Sequence, residues 1–315
     1  MVPGRLRGLS GGNLYDATAI DALRERGWAV EAVEPGDPLQ PADVVVLDSL
    51  AFRHGPPATR APLVAVAHQL PSDAAGRPNR LAAERAVLEA ASLVVTVARW
   101  LEDRLRRLTD TPVAVVTPGR DRAWAPDGPA NDADTVLCVG NPLPGKGLPE
   151  GVEVFLAAGA AGATLVVAGD PGWDPVEARR LGRVAGRAGE RVSFVGPLPP
   201  EELSDRYRRA RLLLTASAYE GWPIAVAEAM ASGLPVAGYD VAGLRELVRP
   251  DRDGLLVPRG EPAALGAAAR TLWEDRDLAR RLGDSARRRA LVWPTWRETG
   301  QRFADLVEGL VRPTA

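Results

Sequence analysis

The fold is decided by the stretch Ser217-Ala-Tyr-Glu-Gly-Trp-Pro-Ile-Ala-Val-Ala-Glu-Ala-Met-Ala-Ser-Gly-Leu-Pro235. It follows an apolar run, Leu212–Thr215, of the kind that forms a buried strand. Pro223 suits the first turn of a helix, because its fixed φ and its missing N–H cost nothing there. The pattern is typical of a strand, a ligand-binding loop and a helix in an open α/β sheet, with the carboxylates of Glu220 and Glu228 near the helix start.

A helix that begins at Pro223 predicts a binding site for an anion, because a helix N-terminus presents free N–H groups and the positive end of the helix dipole. Glu220 precedes this helix and Glu228 lies about one and a half turns inside it, so they reach different parts of one extended ligand. A nucleotide diphosphate fits, with one carboxylate on a sugar and the other on a ribose. The alternative is two glutamates on a solvated helix face.

The Glu220 to Glu228 spacing, with its Glu-Gly-Trp-Pro and Glu-Ala-Met-Ala-Ser-Gly-Leu-Pro context, resembles the E-x7-E motif of the family 4 retaining glycosyltransferases. In that family the first glutamate contacts the donor sugar and the second binds the ribose hydroxyls, and the resemblance implies these roles here. It covers nearly the whole chain and is strongest over residues 136–258. It implies an α/β protein of the GT-B fold: two Rossmann-like, doubly wound domains facing across a cleft, with a C-terminal helix that crosses back to the first domain.

Length and composition agree with two domains, since 315 residues with 46% hydrophobic content suffice for two cores. The net charge of -2 gives no support to a nucleic-acid partner. No apolar run reaches the length of a membrane span, and no signal-peptide pattern opens the chain, so a cytoplasmic protein is expected. Cys138, the single cysteine, is predicted to be an inert core residue.

Alternating apolar runs and helical patterns predict parallel βαβ units on both sides of a polar, proline-rich linker at residues 126–134. An N-terminal acceptor domain is expected at 1–125, a nucleotide-sugar donor domain at 135–295, and a helix packing back on the first domain at 296–315. Strands are predicted at 28–33, 43–47, 63–67, 93–97, 113–116, 135–139, 164–168, 192–195, 212–215, 235–237 and 255–257. Either the strand before the first glycine loop is abbreviated, or the natural start lies upstream of Met1.

Lys146 is the only lysine among 39 lysine and arginine residues. It lies in a glycine-rich loop, residues 140–147, directly after a predicted strand, where a compact ammonium can meet a diphosphate. The resemblance implies that role, and a solvated lysine is the alternative. The family usually has an arginine near the start of this loop, where this chain has Asn141. That departure implies weaker diphosphate binding, an arginine from elsewhere, or a specialised donor.

The first half of the chain offers two weaker signals. Gly11 and Gly12 precede a helix predicted at 14–26, where backbone N–H groups can approach a ligand. A plain tight turn is the alternative, and Asn13 either caps the helix or binds substrate. His68 follows an apolar strand, and the resemblance implies that it faces the donor sugar; a core or capping histidine is the alternative.

The predicted catalytic residues are Glu220, His68 and Lys146. The predicted donor-binding residues are Gly11, Gly12, Gly140, Asn141, Lys146, Gly169, Gly221, Trp222, Pro223, Ile224 and Glu228. Because no Cys/His cluster and no Asp-x-Asp pair at a strand end stands out, we expect no metal and no cofactor beyond a nucleotide-diphosphate sugar as co-substrate.

The resemblance implies a metal-independent, retaining hexosyltransferase. It would move a sugar from a UDP- or GDP-linked donor to a hydroxyl of a small-molecule, glycan or lipid acceptor. A nucleotide-sugar epimerase, a glycosyl phosphorylase and a catalytically silent nucleotide-sugar binding protein are the alternatives. Donor base, sugar, acceptor and oligomeric state stay open at the level of sequence.

Overall fold

The computed structural model describes residues 10–70, 72, 81–121 and 134–311. The chain forms two compact units: unit 1 comprises residues 1–119 with 294–315, and unit 2 comprises residues 120–293. The predicted linker, apart from its last residue, lies outside the described residues, and so does the segment before the glycine loop that bears on the first strand. None of the helices in the described ranges is both long enough and apolar enough to cross a membrane.

Unit 1 contains a parallel four-stranded sheet in the order β1-β2-β3-β4. Its strands are β1 (Val45–Asp48), β2 (Leu63–Ala67), β3 (Leu93–Thr96) and β4 (Val113–Val115), and its helices are α1 (Gly11–Glu25), α2 (Leu81–Ala90), α3 (Arg99–Leu105) and α11 (Trp296–Val311). A 3-10 helix, Ser49–His54, follows β1 directly. All five residues of β2 are buried, as expected for a central parallel strand covered on both faces.

The strand predicted at residues 28–33 is wrong. None of these six side chains is buried, and the segment forms no ladder with any described strand. Five of its six residues are apolar, as in a buried strand, but a strand is stable only when its N–H and C=O groups find a partner across a ladder.

Helix α1 begins at Gly11, three residues before its predicted start. The Ser10 hydroxyl accepts the Asn13 N–H at 3.1 Å, so Ser10 is the cap and Asn13 already lies inside the helix. The predicted end at residue 26 is correct to within one residue: α1 ends at Glu25, and Gly27 has a φ of +87° and donates to Arg24 O at 2.9 Å, which satisfies one of the last carbonyls of the helix.

The C-terminal helix α11 packs against α1, as the predicted fold requires. The two helices approach closely at Gly300, where a Cβ would lie 2.9 Å from Ala22 Cβ and 3.1 Å from Thr18 O. Ion pairs from Arg26 to Asp305 and Glu308, at 2.7 and 3.4 Å, flank this contact. Unit 1 is therefore built from the two ends of the chain.

Unit 2 contains a parallel six-stranded sheet in the order β10-β9-β8-β5-β6-β7. Its strands are β5 (Thr135–Val139), β6 (Thr164–Ala168), β7 (Val192–Gly196), β8 (Leu212–Thr215), β9 (Val236–Tyr239) and β10 (Gly254–Val257), and its helices are α4 (Leu148–Ala158), α5 (Pro175–Gly186), α6 (Pro200–Arg209), α7 (Ile224–Ala231), α8 (Ala242–Leu247), α9 (Pro262–Glu274) and α10 (Arg276–Ala290). The strand order reverses between β5 and β8. In doubly wound sheets ligands bind at such a switch point, outside the carboxyl ends of the strands.

Cys138 is a core residue of unit 2, as predicted. Its side chain is 1% exposed, and burial raises the pKa of the thiol to about 12. The thiol donates to Leu214 O at 2.9 Å, which joins β5 to β8 inside the core. Such a thiol is inert at neutral pH.

Candidate functional site

The switch point of unit 2 brings two loops together. Strand β5 pairs with β8 in parallel, with Val136 opposite Leu212, so residues 140–147 and 216–223 leave the sheet side by side. The Ala218 N–H donates to Gly145 O at 2.8 Å across the two loops. The glycine-rich loop at residues 140–147 and the glutamate loop at residues 216–223 therefore form one structure.

Gly147 is required for this close approach. Its φ of +65° lies in the left-handed region, and a Cβ there would lie 2.2 Å from Ala216 O. Any other residue would be strained and would push the two loops apart. The glycine also precedes α4, so it sets the direction in which the loop enters that helix.

Lys146 and Glu220 form a two-pronged ion pair at the switch point. The Lys146 Nζ lies 2.8 Å from Oε1 and 2.7 Å from Oε2 of Glu220. The Glu220 side chain is 9% exposed, whereas that of Lys146 is 36% exposed. Because an ammonium has three N–H groups, Lys146 can keep both bonds and still donate the third to a ligand.

Helix α7 begins at Ile224, one residue after the predicted start. Pro223 is its N-cap, and Pro223 O accepts the N–H groups of Val226 and Ala227, each at 3.0 Å. Pro223 supplies no side-chain cap, and the first turn of the helix carries no acidic residue. The positive end of this helix is therefore left for an external anion. The preceding residue, Trp222, packs edge-to-face on Trp293 with ring centroids 5.6 Å apart.

Glu228 lies on α7 and is held by a tyrosine that sequence reasoning missed. The buried Tyr207 hydroxyl, from α6, donates to Glu228 Oε2 at 3.1 Å. Burial raises the pKa of Glu228 to about 8; the Tyr207 hydrogen bond opposes this shift and the charge of Asp121 adds to it. An aromatic residue on an otherwise polar amphipathic helix was the signal that could have identified Tyr207.

Asn141 joins the loop after β5 to the loop after β6. Its Oδ1 accepts the Asp170 N–H at 2.9 Å. Gly169 precedes Asp170, and a Cβ on Gly169 would lie 1.9 Å from Gly140 O. The two loops therefore also touch through their backbones. Asn141 therefore organises the loop ends instead of supplying the charge of the family's arginine.

Helix α8 supports the glutamate loop from another side. A Cβ on Gly243 would lie 2.3 Å from Glu220 O and 2.8 Å from Gly221 O, so only glycine fits. The preceding Ala242 is exposed, so its side chain does not face this restriction.

Unit 1 has its own cluster of polar side chains around His68. The His68 Nε2 lies 3.0 Å from Asp16 Oδ1 and 3.1 Å from Asp48 Oδ2. Gly12 lies beside the imidazole, since a Cβ there would be 3.8 Å from His68 Cδ2. Gly11 and Gly12 form the first turn of α1 instead of a loop before it, because Ser10 caps the helix ahead of them.

The surroundings of the His68 cluster raise the pKa values of His68 and Asp16. Burial acts to lower the pKa of His68, but the charges and hydrogen bonds of Asp16 and Asp48 outweigh it and raise that pKa to about 10. Burial also raises the pKa of Asp16, against the opposing effect of His68. In the described part of the chain, this is the group whose residue types and spacing would suit a metal ion. The Nε2 nitrogen of His68 lies within hydrogen-bond distance of one oxygen from each carboxylate.

The structure thus brings most predicted residues into two groups. Lys146, Glu220, Glu228 and their neighbours lie at the switch point of unit 2, whereas Gly11, Gly12 and His68 lie in unit 1. Asp16 and Asp48 were missed in sequence reasoning. The available signal was a carboxylate at the end of an apolar strand, as Asp48 is at the end of β1.

The chain belongs to the glycosyl transferases group 1 family. The model of that family matches residues 121–289, more than half of the chain, and this match spans the switch point and both glutamates.

Curated relatives carry the name D-inositol 3-phosphate glycosyltransferase. The protein from Corynebacterium glutamicum (strain R) is 28% identical over 280 residues, which covers 78% of this chain and 66% of that protein. The protein from Nocardia farcinica (strain IFM 10152) is 40% identical over 127 residues, which covers 40% of this chain and 28% of that protein. The chain therefore spans less than two thirds of the length of these relatives in the aligned regions.

Solved structures share the fold. Sucrose-phosphate synthase from Thermosynechococcus elongatus is similar with a TM-score of 0.72 and 26% identity, covering 85% of this chain and 73% of that one. Anabaena Alr3699/HepE in complex with UDP-glucose is similar with a TM-score of 0.74 and 21% identity, and the match covers 84% of this chain and 78% of that one. These similarities, with the two parallel sheets, confirm the predicted α/β GT-B fold class.

Proposed function

We propose that this chain is a metal-independent, retaining glycosyltransferase of family 4 that moves a sugar from a UDP- or GDP-linked donor to a hydroxyl of an acceptor. The observation that carries the proposal is the Lys146–Glu220 ion pair beside the uncapped start of α7. It combines a cation, a carboxylate and a helix N-terminus at the ligand-binding edge of a doubly wound sheet.

The proposed chemistry follows from where charge develops. When the anomeric bond breaks, negative charge grows on the departing diphosphate and positive charge on the sugar ring. The third N–H of Lys146 and the first N–H groups of α7 stabilise the diphosphate, because preorganised donors act most strongly where negative charge forms. Glu220 keeps lone pairs free beside its two bonds to Lys146, and these accept hydroxyl groups of the donor sugar.

The remaining residues bind and orient the donor. Glu228, held by Tyr207, hydrogen-bonds the ribose hydroxyls, and His68 contacts the sugar. The leaving phosphate assists deprotonation of the acceptor on the same face of the ring, which retains the anomeric configuration. Asn141 carries no charge, so Lys146 and α7 supply most of the positive potential for the diphosphate.

The family match favours transfer over the competing classes. An epimerase would release an altered donor sugar without an acceptor, and a phosphorylase would consume inorganic phosphate. A silent binding protein would bind donor without transfer or slow hydrolysis. Product analysis separates all of them in one reaction.

The first experiment is a thermal-shift screen of UDP, GDP and ADP with their sugars. A ligand that binds only the folded state at about 100 times its Kd adds about 2.7 kcal/mol of stability. The donor that stabilises the protein is then incubated with candidate acceptors, beginning with the D-inositol 3-phosphate of the relatives' name. The anomeric configuration of the product, read by NMR, tests retention.

Variants link the result to the site. Lys146→Ala and Glu220→Ala should each lower kcat by about 10²–10³-fold, the effect of removing one preorganised group. Glu201→Gln, at an exposed position of α6, serves as the control and should leave turnover unchanged. The proposal fails if no nucleotide stabilises the protein, or if a folded Lys146→Ala variant turns over at the wild-type rate.

A further inference from the structure

His68 is fixed by carboxylates from two different elements. Asp16 extends from α1 and Asp48 ends β1, and each places one oxygen within 3.1 Å of the same ring nitrogen, Nε2. Asp48 is itself held, because its Oδ1 accepts the Leu50 N–H at 2.6 Å. The orientation of the imidazole is therefore set by the fold before any ligand binds.

The cluster is closed from water on its carboxylate side. The side chains of His68, Asp16 and Asp48 are 15%, 10% and 4% exposed. Two buried carboxylates stabilise a positive charge between them strongly, because opposite charges at this distance favour the ionised form. A carboxylate that is ionised can only accept, so in an ion pair with His68 the proton lies on Nε2.

The other groups around the ring do not compete for this proton. Tyr15 of α1 meets the imidazole edge-to-face with centroids 5.0 Å apart, and its hydroxyl donates to Val116 O at 3.1 Å. Burial raises the pKa of Tyr15 above its ordinary value, and the charge of Arg302 of α11 lowers that pKa by a smaller amount. Tyr15 therefore stays neutral. No described residue forms a hydrogen bond to His68 Nδ1.

We propose that Asp16 and Asp48 are positioning residues that hold His68 as a charged hydrogen-bond donor, with Nε2–H bound to both carboxylates and Nδ1–H offered to an oxygen of the substrate. This rests on the proposed function, in which His68 contacts the donor sugar. An imidazolium has no free lone pair, so His68 binds a hydroxyl or other oxygen and does not remove a proton from the acceptor. The raised pKa of His68, about 10, agrees with a charge that persists throughout the physiological range.

The chain allows a direct test because it has only two histidines. Replacing the exposed His54 with glutamine leaves His68 as the only histidine, and its ring nitrogens can be followed by ¹⁵N NMR from pH 5 to 10. We expect both nitrogens to stay protonated up to at least about pH 8. Asp16→Asn and Asp48→Asn should each lower the midpoint by about one to three pH units, the effect of losing one adjacent opposite charge.

Two controls sharpen this test. Asp21→Asn changes a 72% exposed carboxylate on the same helix as Asp16 and should leave the midpoint unchanged. Because the two asparagine variants alter different elements, one folded variant suffices for the comparison. A midpoint near 6.5 in the single-histidine protein, or one insensitive to both asparagine changes, would overturn the proposal. Stoichiometric Zn²⁺ that removes the Nε2 proton would also overturn it, in favour of a metal site.

Transfer kinetics separate this inference from the proposed function. If His68 stays charged but no donor and acceptor pair reacts, the proposed function fails while the charged state of His68 stands. If transfer occurs, Asp16→Asn should lower kcat and move the alkaline limb of the kcat profile to lower pH, whereas a purely structural defect would leave that pH unchanged. If Asp16→Asn supports transfer and the alkaline limb of its kcat profile stays at the wild-type pH, the role assigned to Asp16 is contradicted.

Discussion

Lys146 contributes both to the proposed donor site and to the packing of unit 2. It is the only lysine in the sequence, and its ammonium meets a carboxylate that is almost fully buried. Glu220 in turn faces α8 through its backbone and Lys146 through its side chain. The pair therefore joins the proposed donor site to the packing of unit 2.

Removing Lys146 should cost stability as well as activity. Lys146→Met leaves the Glu220 carboxylate buried without its partner, at a cost of about 1–3 kcal/mol. Adding Glu220→Gln should recover part of this loss, with a coupling energy of at least about 0.5 kcal/mol in a double-mutant cycle measured by urea denaturation. Arg280→Met, which breaks an exposed ion pair with Asp277, should stay within about 0.5 kcal/mol of wild type. Additive losses for the Lys146 and Glu220 changes would contradict the coupling.

Glu228 should make the stability of the protein depend on pH. Its pKa rises from 4.5 to about 8 on folding, so between these values the folded state binds a proton that the unfolded state has lost. Stability therefore falls as pH rises from about 4.5 to about 8. Glu228→Gln stays neutral, so its Tm should fall less than the wild-type Tm over this range.

Thermal denaturation from pH 5 to 8 checks the Glu228 prediction. The titration of His68 is common to both proteins and cancels in the difference. Glu201→Gln, on the exposed face of α6, should follow the wild-type curve. Parallel curves for wild type and Glu228→Gln would show that Glu228 is ionised in the folded protein at neutral pH.

At the scale of elements, the loops after β5 and β8 and the start of α8 act as one layer. They touch through backbone at two glycines, Gly147 and Gly243, and not only through side chains. Backbone contacts of this kind transmit a displacement of one loop directly to the next, because no rotamer can absorb it.

The two neighbouring positions at the start of α8 give a matched test. Gly243→Ala places a methyl group 2.3 Å from Glu220 O, so we expect a loss of about 1–3 kcal/mol and slower transfer. Ala242→Gly changes an exposed position and should cost no more than about 1 kcal/mol, the helix propensity difference. Thermal denaturation and steady-state transfer rates check both variants. Equal behaviour of the two would mean that α8 does not support Glu220.

The strands of unit 2 and four of the five strands predicted in the first half of the chain match strands of the structure, and the strand predicted at residues 28–33 is the exception. Apolar runs such as β5 and β8 are buried on both faces, so their hydrophobic pattern and their structure coincide. Residues 28–33 have a similar pattern but lack a ladder partner among the described strands. Local sequence contains no information about whether such a partner exists.

At the scale of the whole molecule, the chain returns to its beginning: α11 packs on α1 and completes unit 1. Two glycines of α11 test this closure. Gly300→Ala would crowd Thr18 and Ala22 and should lower stability by about 1–3 kcal/mol. Gly309→Ala meets no atom within 4 Å and should raise stability by about 0.5–1 kcal/mol through helix propensity. Thermal denaturation followed by circular dichroism measures both, and a stabilising Gly300→Ala would contradict the close packing.

The amino-acid pattern alone was enough for the α/β class, the tandem units and the residues around the glutamate motif, because each depends on neighbours a few positions apart. The functional partnerships depended on the fold. Lys146 and Glu220 are 74 residues apart, His68 and Asp16 are 52 apart, and Tyr207 reaches Glu228 from another helix. Only the order of strands in each sheet brings these side chains within hydrogen-bond distance, and strand order follows from packing of the whole unit, which no local segment encodes.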